Sequence, residues 1–267
     1  MTHSILCIAG SDSISGAGLQ IDVKTAAAHG VYACCAVTAV TAQNTKRIDA
    51  LQTVSPSVVK AQIEAVFDDV PPEAVKVGML GSAPVARAVA DELDAHPDVP
   101  VVFDPVLAAT TGGQLTTGEA LEVIRERFIS RATLVTPNMP EAEKLTGVRV
   151  DDDYGRDEAA RAFFDLGAKA VLLKGGHGRE AEVVDVLYTT KGSERFTTAR
   201  LPGEYHGTGC SLSTAIACNL ASGASLLAAV RAGNEYLADA LRHPVDVGHG
   251  SRVFDPLNHL DSLYGAL

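Results

Sequence analysis

Short runs of apolar residues alternate with longer stretches of mixed polarity along most of the chain. Six runs have the length and composition of buried strands: ILCIAG, CAVTAV, AVKVGML, VPVVFDPV, TLVTPN and AVLLKGG. The segments between them have the polarity of helices that cover a sheet, over residues 19–29, 56–68, 83–94, 118–130, 140–146 and 156–166. Continuous apolar strands separated by helices are typical of a mainly parallel sheet with helices on both faces. The pattern predicts an α/β fold, a three-layer αβα sandwich, formed as a single domain by residues 1–267.

The last third of the chain departs from this alternation. VVDVLYTT and ERFTTARL predict a β-hairpin that turns near Lys191 and Gly192. After the hairpin the pattern predicts helices only, over residues 211–222 and 225–241, followed by a short tail.

Composition narrows the range of partners. With 22 basic and 33 acidic residues the formal charge is −11, and no cluster of Lys and Arg offers the sequence-independent affinity that nucleic acid requires. The five cysteines show no CxxC pairing, which is typical of reduced thiols inside a cytosolic protein. No apolar run approaches the roughly 20 residues that cross a bilayer, and the N-terminal residues have no basic region of a signal peptide. We therefore expect a cytoplasmic protein without nucleic-acid or membrane partners.

The stretch HGTGCSLSTAIACNLASG, which begins at His206, places two glycines directly before a helix of small residues. A helix N-terminus exposes unpaired N–H groups and a partial positive charge, and glycines let that backbone approach an anion closely. The alternative is an ordinary tight turn. Neither GxxxxGK[ST] nor a GxGxxG after a strand is present, so the two commonest nucleotide signatures are absent.

Further polar side chains follow the predicted strands, where ligands bind in such sheets. Asp104 stands in FDPV, Asn138 and Glu141 stand in VTPNMPEAEKL, and Lys174 stands in LLKGGH. Asn138 and Glu141 have the spacing of a helix capping box. The same oxygens, with Asp104, are also suitable for hydrated Mg²⁺, which needs few protein ligands. Carboxylates, an amide, a lysine and an anion-binding turn along one edge favour phosphoryl transfer.

Two more stretches have alternative interpretations. In AGSDSISGAGLQIDVKT, Asp22 either caps a helix dipole or contacts a ligand. In TAVTAQNT, Gln43 either hydrogen-bonds a heteroaromatic ring or builds a turn.

Taken in order, these blocks resemble the hydroxymethylpyrimidine/phosphomethylpyrimidine kinases of thiamine biosynthesis, within the ribokinase-like superfamily. The blocks that carry the resemblance are AGSDSISGAGLQIDVKTAAAHGVYACCAVTAVTAQNT, VKVGMLGS, DPV, TPNMPEAEKLTG, LLKGGH and HGTGCSLSTAIA. The resemblance implies ATP and Mg²⁺, a pyrimidine alcohol as the acceptor of the γ-phosphoryl group, in many members also its monophosphate, and a homodimer.

The resemblance also implies a role for each matching residue. Asp22 and Gln43 would hold the pyrimidine, in a pocket lined by Gly10, Met79 and Val106. Asn138 and Glu141, helped by Asp104, would organise Mg²⁺ and water, and Lys174 would meet the ATP phosphates. The backbone N–H groups of Gly207, Thr208, Gly209 and Cys210 would hold the transferring phosphoryl group.

Cys210 ends the glycine-rich turn, where sugar kinases of the superfamily have an aspartate base. A thiol at a helix N-terminus can have a lowered pKa, so we expect Cys210 to accept the hydroxymethyl proton. The alternative is that it only shapes the pocket.

The chain departs from the family pattern at LAATTGGQL, which lacks a lysine, and at LPGEY, which lacks an Asn-Thr pair. The first departure leaves the step on the monophosphate less secure. Two other functions stay open: a pyridoxal kinase of the same fold, whose loop can also end in cysteine, and a non-catalytic regulator that binds a nucleotide or vitamer.

Overall fold

The computed structural model describes residues 2–108, 116–176, 181–203, 205–245, 247–254 and 256–257. Within these residues the chain forms a nine-stranded sheet and a separate two-stranded one. The strands are Ser4–Asp12 (β1), Tyr32–Gln43 (β2), Ile48–Thr53 (β3), Ala74–Val77 (β4), Val101–Phe103 (β5), Leu134–Val135 (β6), Ala170–Leu173 (β7), Glu182–Thr189 (β8), Gly192–Ala199 (β9), Pro244–Val245 (β10) and Val253–Phe254 (β11).

Helices follow most of the strands. They are Gly18–Ala28 (α1), Pro56–Asp69 (α2), Ala83–Ala95 (α3), Gly118–Val123 (α4), Ile129–Arg131 (α5), Met139–Thr146 (α6), Asp153–Asp165 (α7), Thr208–Ala221 (α8) and Leu226–Ala240 (α9). A π-helical turn, Ile124–Phe128, joins α4 to α5.

The large sheet has the order β3-β2-β1-β4-β5-β6-β7-β8-β9. Strands β2, β1, β4, β5, β6 and β7 run parallel to one another, and β3, β8 and β9 add antiparallel edges. The carboxyl ends of six neighbouring strands therefore meet along one edge, which is where ligands bind in open α/β sheets.

Alternating side chains of the parallel strands are buried on opposite faces, which explains their continuous apolar sequences. Leu6 and Ile8 of β1 belong to a core that α2, α3, α4, α6 and α7 cover. Ile5 and Cys7 face the other side, where α1 and α8 pack. The helices thus form a layer on each face, and the predicted αβα sandwich is confirmed.

Two features were missing from the sequence prediction. Strand β3 pairs with β2 at the edge of the sheet and leaves most of its side chains exposed, so its sequence shows no alternation of apolar and polar residues. The prediction of helices alone after the hairpin was wrong, because β10 and β11 pair antiparallel beyond α9.

The helices of the described residues include none that combines the length and the apolar character needed to span a membrane.

Candidate active site

A cavity of about 1000 Å³ opens at the carboxyl edge of the parallel strands. Twelve of the thirteen residues singled out in the sequence line it: Gly10, Gln43, Met79, Asp104, Val106, Asn138, Glu141, Lys174, Gly207, Thr208, Gly209 and Cys210. These residues come from distant parts of the chain, so the fold brings them to one place. Asp22 does not line the cavity.

The HGTGC loop (residues 206–210) leads into the N-terminus of α8. Gly207 is the N-cap residue, has φ +80°, and offers no side chain to the helix N–H groups. A Cβ on Gly207 would lie 1.9 Å from the carbonyl oxygen of Gly16, so only glycine fits there. The first turn of α8 thus keeps backbone donors available beside the cavity.

A second glycine-rich segment, the GSD loop (residues 10–18), lies against the HGTGC loop. A Cβ on Gly10 would lie 2.3 Å from Cε of Met79, and one on Gly18 would lie 2.3 Å from the carbonyl oxygen of Gly10. The absence of side chains lets the two loops and Met79 pack tightly at the cavity wall.

Lys174 and two carboxylates form the charged part of the cavity. Nζ of Lys174 lies 2.7 Å from Oδ1 of Asp104 and 4.0 Å from Oε2 of Glu141. Burial alone would lower the pKa of Lys174, but the carboxylates of Asp104 and Glu141 raise it by more. The ammonium group therefore stays charged beside the HGTGC loop.

Asn138 and Glu141 form the capping box that their spacing predicts. The side chain of Asn138 accepts a hydrogen bond from the backbone N of Glu141 at 2.8 Å, and Glu141 accepts one from the backbone N of Asn138 at 2.7 Å. Burial, with the nearby Asp104 carboxylate, raises the pKa of Glu141 to about 7 even though Lys174 acts in the opposite direction. Asn138 and Glu141 line the cavity as well as forming the capping box.

The expected lowering of the Cys210 pKa was wrong. Burial raises the pKa of this thiol to about 11, and the carboxylates of Asp104 and Asp22 add to the rise. Lys76 and the backbone N–H of Gly18 act in the opposite direction but do not compensate. Desolvation is the largest influence, so Cys210 is a neutral thiol at neutral pH.

Asp22 was expected to hold the pyrimidine, and the structure places it elsewhere. Its side chain is fully buried on the inner face of α1, and its carboxylate binds Nζ of Lys76 at 2.8 and 2.9 Å. Thr214 of α8 donates to the same carboxylate at 2.8 Å. Asp22 thus joins α1, β4 and α8 behind the cavity.

Three residues of this region were missed or left without a role in the sequence analysis. Lys76 interrupts an apolar strand in AVKVGML, which was the available signal for a buried ion pair. Asp12 and His206 line the cavity, and Oδ2 of Asp12 lies 3.1 Å from Nε2 of His206. No local pattern pairs two residues so far apart in the chain.

The departures from the family pattern fall partly outside the described residues. Positions 109–115 of LAATTGGQL and Glu204 of LPGEY lie outside the described residues, as does His177 of the matching block LLKGGH.

Comparison with known proteins identifies the family. Residues 12–255 match the sequence profile of the phosphomethylpyrimidine kinases. The chain belongs to this family.

Relatives in the family cover nearly the whole chain. A hydroxymethylpyrimidine/phosphomethylpyrimidine kinase of Synechococcus elongatus is 41% identical over 266 residues, which are 97% of this chain and 98% of that protein. The thiamine biosynthesis bifunctional protein ThiED of Geobacter sulfurreducens is 43% identical over 260 residues. The match takes 96% of this chain but 52% of that protein, so the chain spans about half of its length.

Solved structures give the same fold. The phosphomethylpyrimidine kinase of Clostridium difficile has a TM-score of 0.80 and 38% identity, and the match covers 90% of this chain and 100% of that one. A pyridoxal kinase of Bacillus subtilis, solved as an ADP complex, has a TM-score of 0.88 and 29% identity, with 97% and 100% covered. The fold is thus shared with a phosphomethylpyrimidine kinase and with a pyridoxal kinase.

Proposed function

We propose that the protein transfers the γ-phosphoryl group of ATP to the hydroxymethyl group of 4-amino-5-hydroxymethyl-2-methylpyrimidine, and then to the phosphate of that product, in thiamine biosynthesis. The observation that carries the proposal is a single cavity that has the unpaired N–H groups of α8 and Lys174 on its wall together with Gln43 and Met79. Membership of the phosphomethylpyrimidine kinase family supports the same chemistry.

Phosphoryl transfer requires positioned positive charge more than covalent chemistry from the protein. The bond from the γ-phosphorus to the bridging oxygen breaks, its electron pair leaves with ADP, and the hydroxymethyl oxygen forms the new bond. A Cβ on Gly209 would lie 2.9 Å from Nζ of Lys174, so the loop backbone and the ammonium are immediate neighbours. In the proposal both stabilise the charge on the transferring group.

Asp104 and Glu141, with the side chain of Asn138 beside them, are the residues that would hold Mg²⁺. Among the described residues no three His, Cys, Asp or Glu side chains come together as a metal-binding group. Two carboxylates in a cavity fit Mg²⁺, because this ion keeps most of its waters and binds phosphate oxygens. When bound, Mg²⁺ supplies neutralisation of the phosphate charge.

The acceptor lies, in the proposal, at the end of the cavity that Gly10, Gln43, Met79 and Val106 line. Gln43 ends β2, and its amide can both donate to and accept from a pyrimidine ring. The side chain of Met79 offers an apolar, polarisable surface to the ring. Asp22 has no part in this pocket, because it is buried against Lys76.

In this arrangement Cys210, the last residue of the HGTGC loop, lies next to the acceptor. Its raised pKa means that the resting enzyme holds a thiol. In a loose transition state the hydroxyl keeps its proton until late, so a pre-formed base is not required. We assign to Cys210 a backbone N–H toward the phosphoryl group and a thiol that packs against the acceptor, while the proton passes to water.

The opposite end of the cavity suits the adenine of ATP. Leu237 and Leu241 of the α9 region and Val183 of β8 give it apolar walls. The solved B. subtilis relative was crystallised with ADP, which supports a nucleotide in this fold.

Turnover by the purified protein tests the proposal. ADP release is measured with ATP and Mg²⁺ and one of three acceptors: hydroxymethylpyrimidine, its monophosphate or pyridoxal. We expect kcat/KM to be highest for hydroxymethylpyrimidine, with measurable turnover of the monophosphate. ADP release that depends on pyridoxal alone would assign the protein to the second vitamin, an alternative that the similarity to the B. subtilis enzyme supports.

If none of the three acceptors leads to ADP release, the protein is better explained as a non-catalytic regulator. Lys174→Met is the matched inactive control, because it removes the ammonium that lies 2.7 Å from Asp104.

We further propose that the whole chain acts as one kinase domain and works as a cytoplasmic homodimer. Size-exclusion chromatography with light scattering tests the dimer.

A further inference from the structure

Two helices begin side by side at the cavity, and neither is capped by its own N-cap side chain. The N-cap residue is Ala17 in α1 and Gly207 in α8. At α1 the carboxylate of Asp12 takes the place of a cap, because its Oδ2 accepts from the backbone N of Gly16 at 3.0 Å and of Ala17 at 2.8 Å. At α8 the donors are left to the cavity.

His206 connects Asp12 to α8. Its Nε2 lies 3.1 Å from Oδ2 of Asp12, and the two residues are 4% and 3% exposed. A Cβ on Gly16 would lie 2.7 Å from Cδ2 of the imidazole, so the ring is packed directly on the GSD loop. His206 immediately precedes Gly207, so its hydrogen bond to Asp12 ties the N-terminus of α8 to the GSD loop.

The GSD loop also forms hydrogen bonds with Gln43, at the end of the cavity where the acceptor is proposed to bind. Oγ of Ser13 donates to the carbonyl oxygen of Gln43 at 2.7 Å and accepts from its backbone N at 2.9 Å. Ser13 thus binds Gln43 by hydrogen bonds, and its chain neighbour Asp12 binds His206. Together these contacts join the strand end proposed to bind the pyrimidine to the loop proposed to bind the phosphoryl group.

The hydrogen-bond polarity of the pair follows from its surroundings. Burial alone would raise the pKa of Asp12, but hydrogen bonds from His206, Gln43 and Ile14 lower it by more. Asp12 is therefore a carboxylate that only accepts, and Nε2 of His206 donates to it.

The other ring nitrogen of His206 has no such partner. Among the described residues, Nδ1 of His206 is the one buried side-chain nitrogen or oxygen without a hydrogen bond. Leaving a buried polar atom without a partner destabilises the folded state. An apolar side chain would fill the same space without this cost, so packing alone does not account for a histidine at this position.

We propose that His206 is a positioning residue for phosphoryl transfer: its Nε2–H, held by Asp12, fixes the HGTGC loop relative to Gln43. The kinetic part of this inference rests on the proposed function. The contact acts on the distance between the two reacting groups, so its loss lowers turnover more than it weakens binding of either substrate.

Two substitutions separate the donor from the volume of the ring. His206→Gln keeps an N–H donor of similar reach, whereas His206→Leu keeps a similar volume and removes the donor. We expect His206→Leu to lower kcat at least tenfold with a change below threefold in the KM for hydroxymethylpyrimidine. His206→Gln is expected to retain kcat within threefold of wild type. The control is His96→Leu, whose ring stacks on Phe67 away from the cavity lining.

Hydrogen exchange of backbone amides gives a readout that is independent of activity. In ligand-free protein we expect His206→Leu to accelerate exchange in peptides that span residues 206–210 at least tenfold, and His206→Gln to leave it within threefold. If wild-type protein phosphorylates none of the three acceptors, the proposed function fails, and the exchange data alone decide the positioning claim.

Equal kcat and equal exchange for the Gln and Leu variants would overturn the proposal and leave His206 a packing role. Thermal unfolding establishes that each variant is folded. If His206→Leu does not fold, Asp12→Ala replaces it, because this change removes the carboxylate that accepts from Nε2–H of His206. Wild-type kcat in that variant would equally overturn the proposal.

Discussion

Breaking the ion pair between Asp22 and Lys76 is expected to destabilise the protein without weakening pyrimidine binding. Both side chains are 0% exposed, and the carboxylate oxygens lie 2.8 and 2.9 Å from Nζ. Burial alone would lower the pKa of Lys76, but the Asp22 carboxylate raises it by more, so the lysine stays charged in the core. Asp22→Asn keeps the size of the side chain and leaves this ammonium unpaired.

The magnitude follows from the burial of both charges. Removing one partner of a buried pair costs about 3–5 kcal/mol, because the remaining charge is uncompensated. For a chain of this size each kcal/mol corresponds to roughly 2–4 °C in Tm, so we expect a fall of about 10 °C. Lys76→Met is expected to have a similar effect. The double variant is expected to lose clearly less than the sum of the two single losses, because it leaves no unpaired charge.

Urea denaturation of the two single variants and the double variant measures this coupling, and steady-state kinetics measure the KM for hydroxymethylpyrimidine. Glu194→Gln is the control, because it breaks an exposed pair with Arg231 and is expected to change little. An Asp22→Asn variant with wild-type stability and a KM raised more than tenfold would refute this reasoning. It would return Asp22 to the substrate.

Two further predictions concern the pKa values in the cavity. Because burial raises the pKa of Cys210 to about 11, we expect kcat/KM to be constant between pH 8 and 10. Cys210→Ser is expected to retain at least a third of wild-type turnover. A tenfold rise of kcat/KM per pH unit, together with an inactive Ser variant, would instead show that a thiolate acts as the base. Glu141 has its pKa raised from 4.5 to about 7 by burial, so the folded protein holds this proton more tightly and loses stability as pH rises from 4.5 to 7. Glu141→Gln is therefore expected to raise the Tm of the ligand-free protein at pH 8 but not at pH 4.5, and to lower turnover. A Tm difference that does not change with pH would contradict this.

The sequence was sufficient for the layers of the fold because its strands are buried on both faces. Runs such as ILCIAG have no polar alternation, and this identified the parallel strands and the edge where their ends meet. Strand β3 was missed for the opposite reason. It lies at the sheet edge with five of its six residues exposed, so neither burial nor periodicity marks it.

The cavity wall was largely predictable because its residues follow strand ends, which the topology brings together. What local patterns could not show were contacts between distant residues. Asp22 resembled a ligand-binding or capping acid until its partner was seen 54 positions away in Lys76. Asp12 and His206 are 194 positions apart, and their pairing depends on two glycine loops that pack against each other.

The pKa of Cys210 shows a different limit. Its position at the start of α8 correctly indicated a helix dipole, which favours a thiolate. The sequence did not reveal how much solvent the surrounding cavity wall removes. In the structure this desolvation is the largest influence on the thiol and reverses the expected direction.

The central claim is that the γ-phosphoryl group of ATP is transferred, in this cavity, to the hydroxymethyl oxygen of the pyrimidine. A ³¹P NMR time course with purified protein, ATP, Mg²⁺ and hydroxymethylpyrimidine tests it most directly. We predict that a monophosphate ester resonance appears first and that diphosphate resonances follow as ADP accumulates, with neither formed by Lys174→Met. Loss of ATP to inorganic phosphate alone, or no phosphorylated pyrimidine while pyridoxal is phosphorylated, would contradict the account.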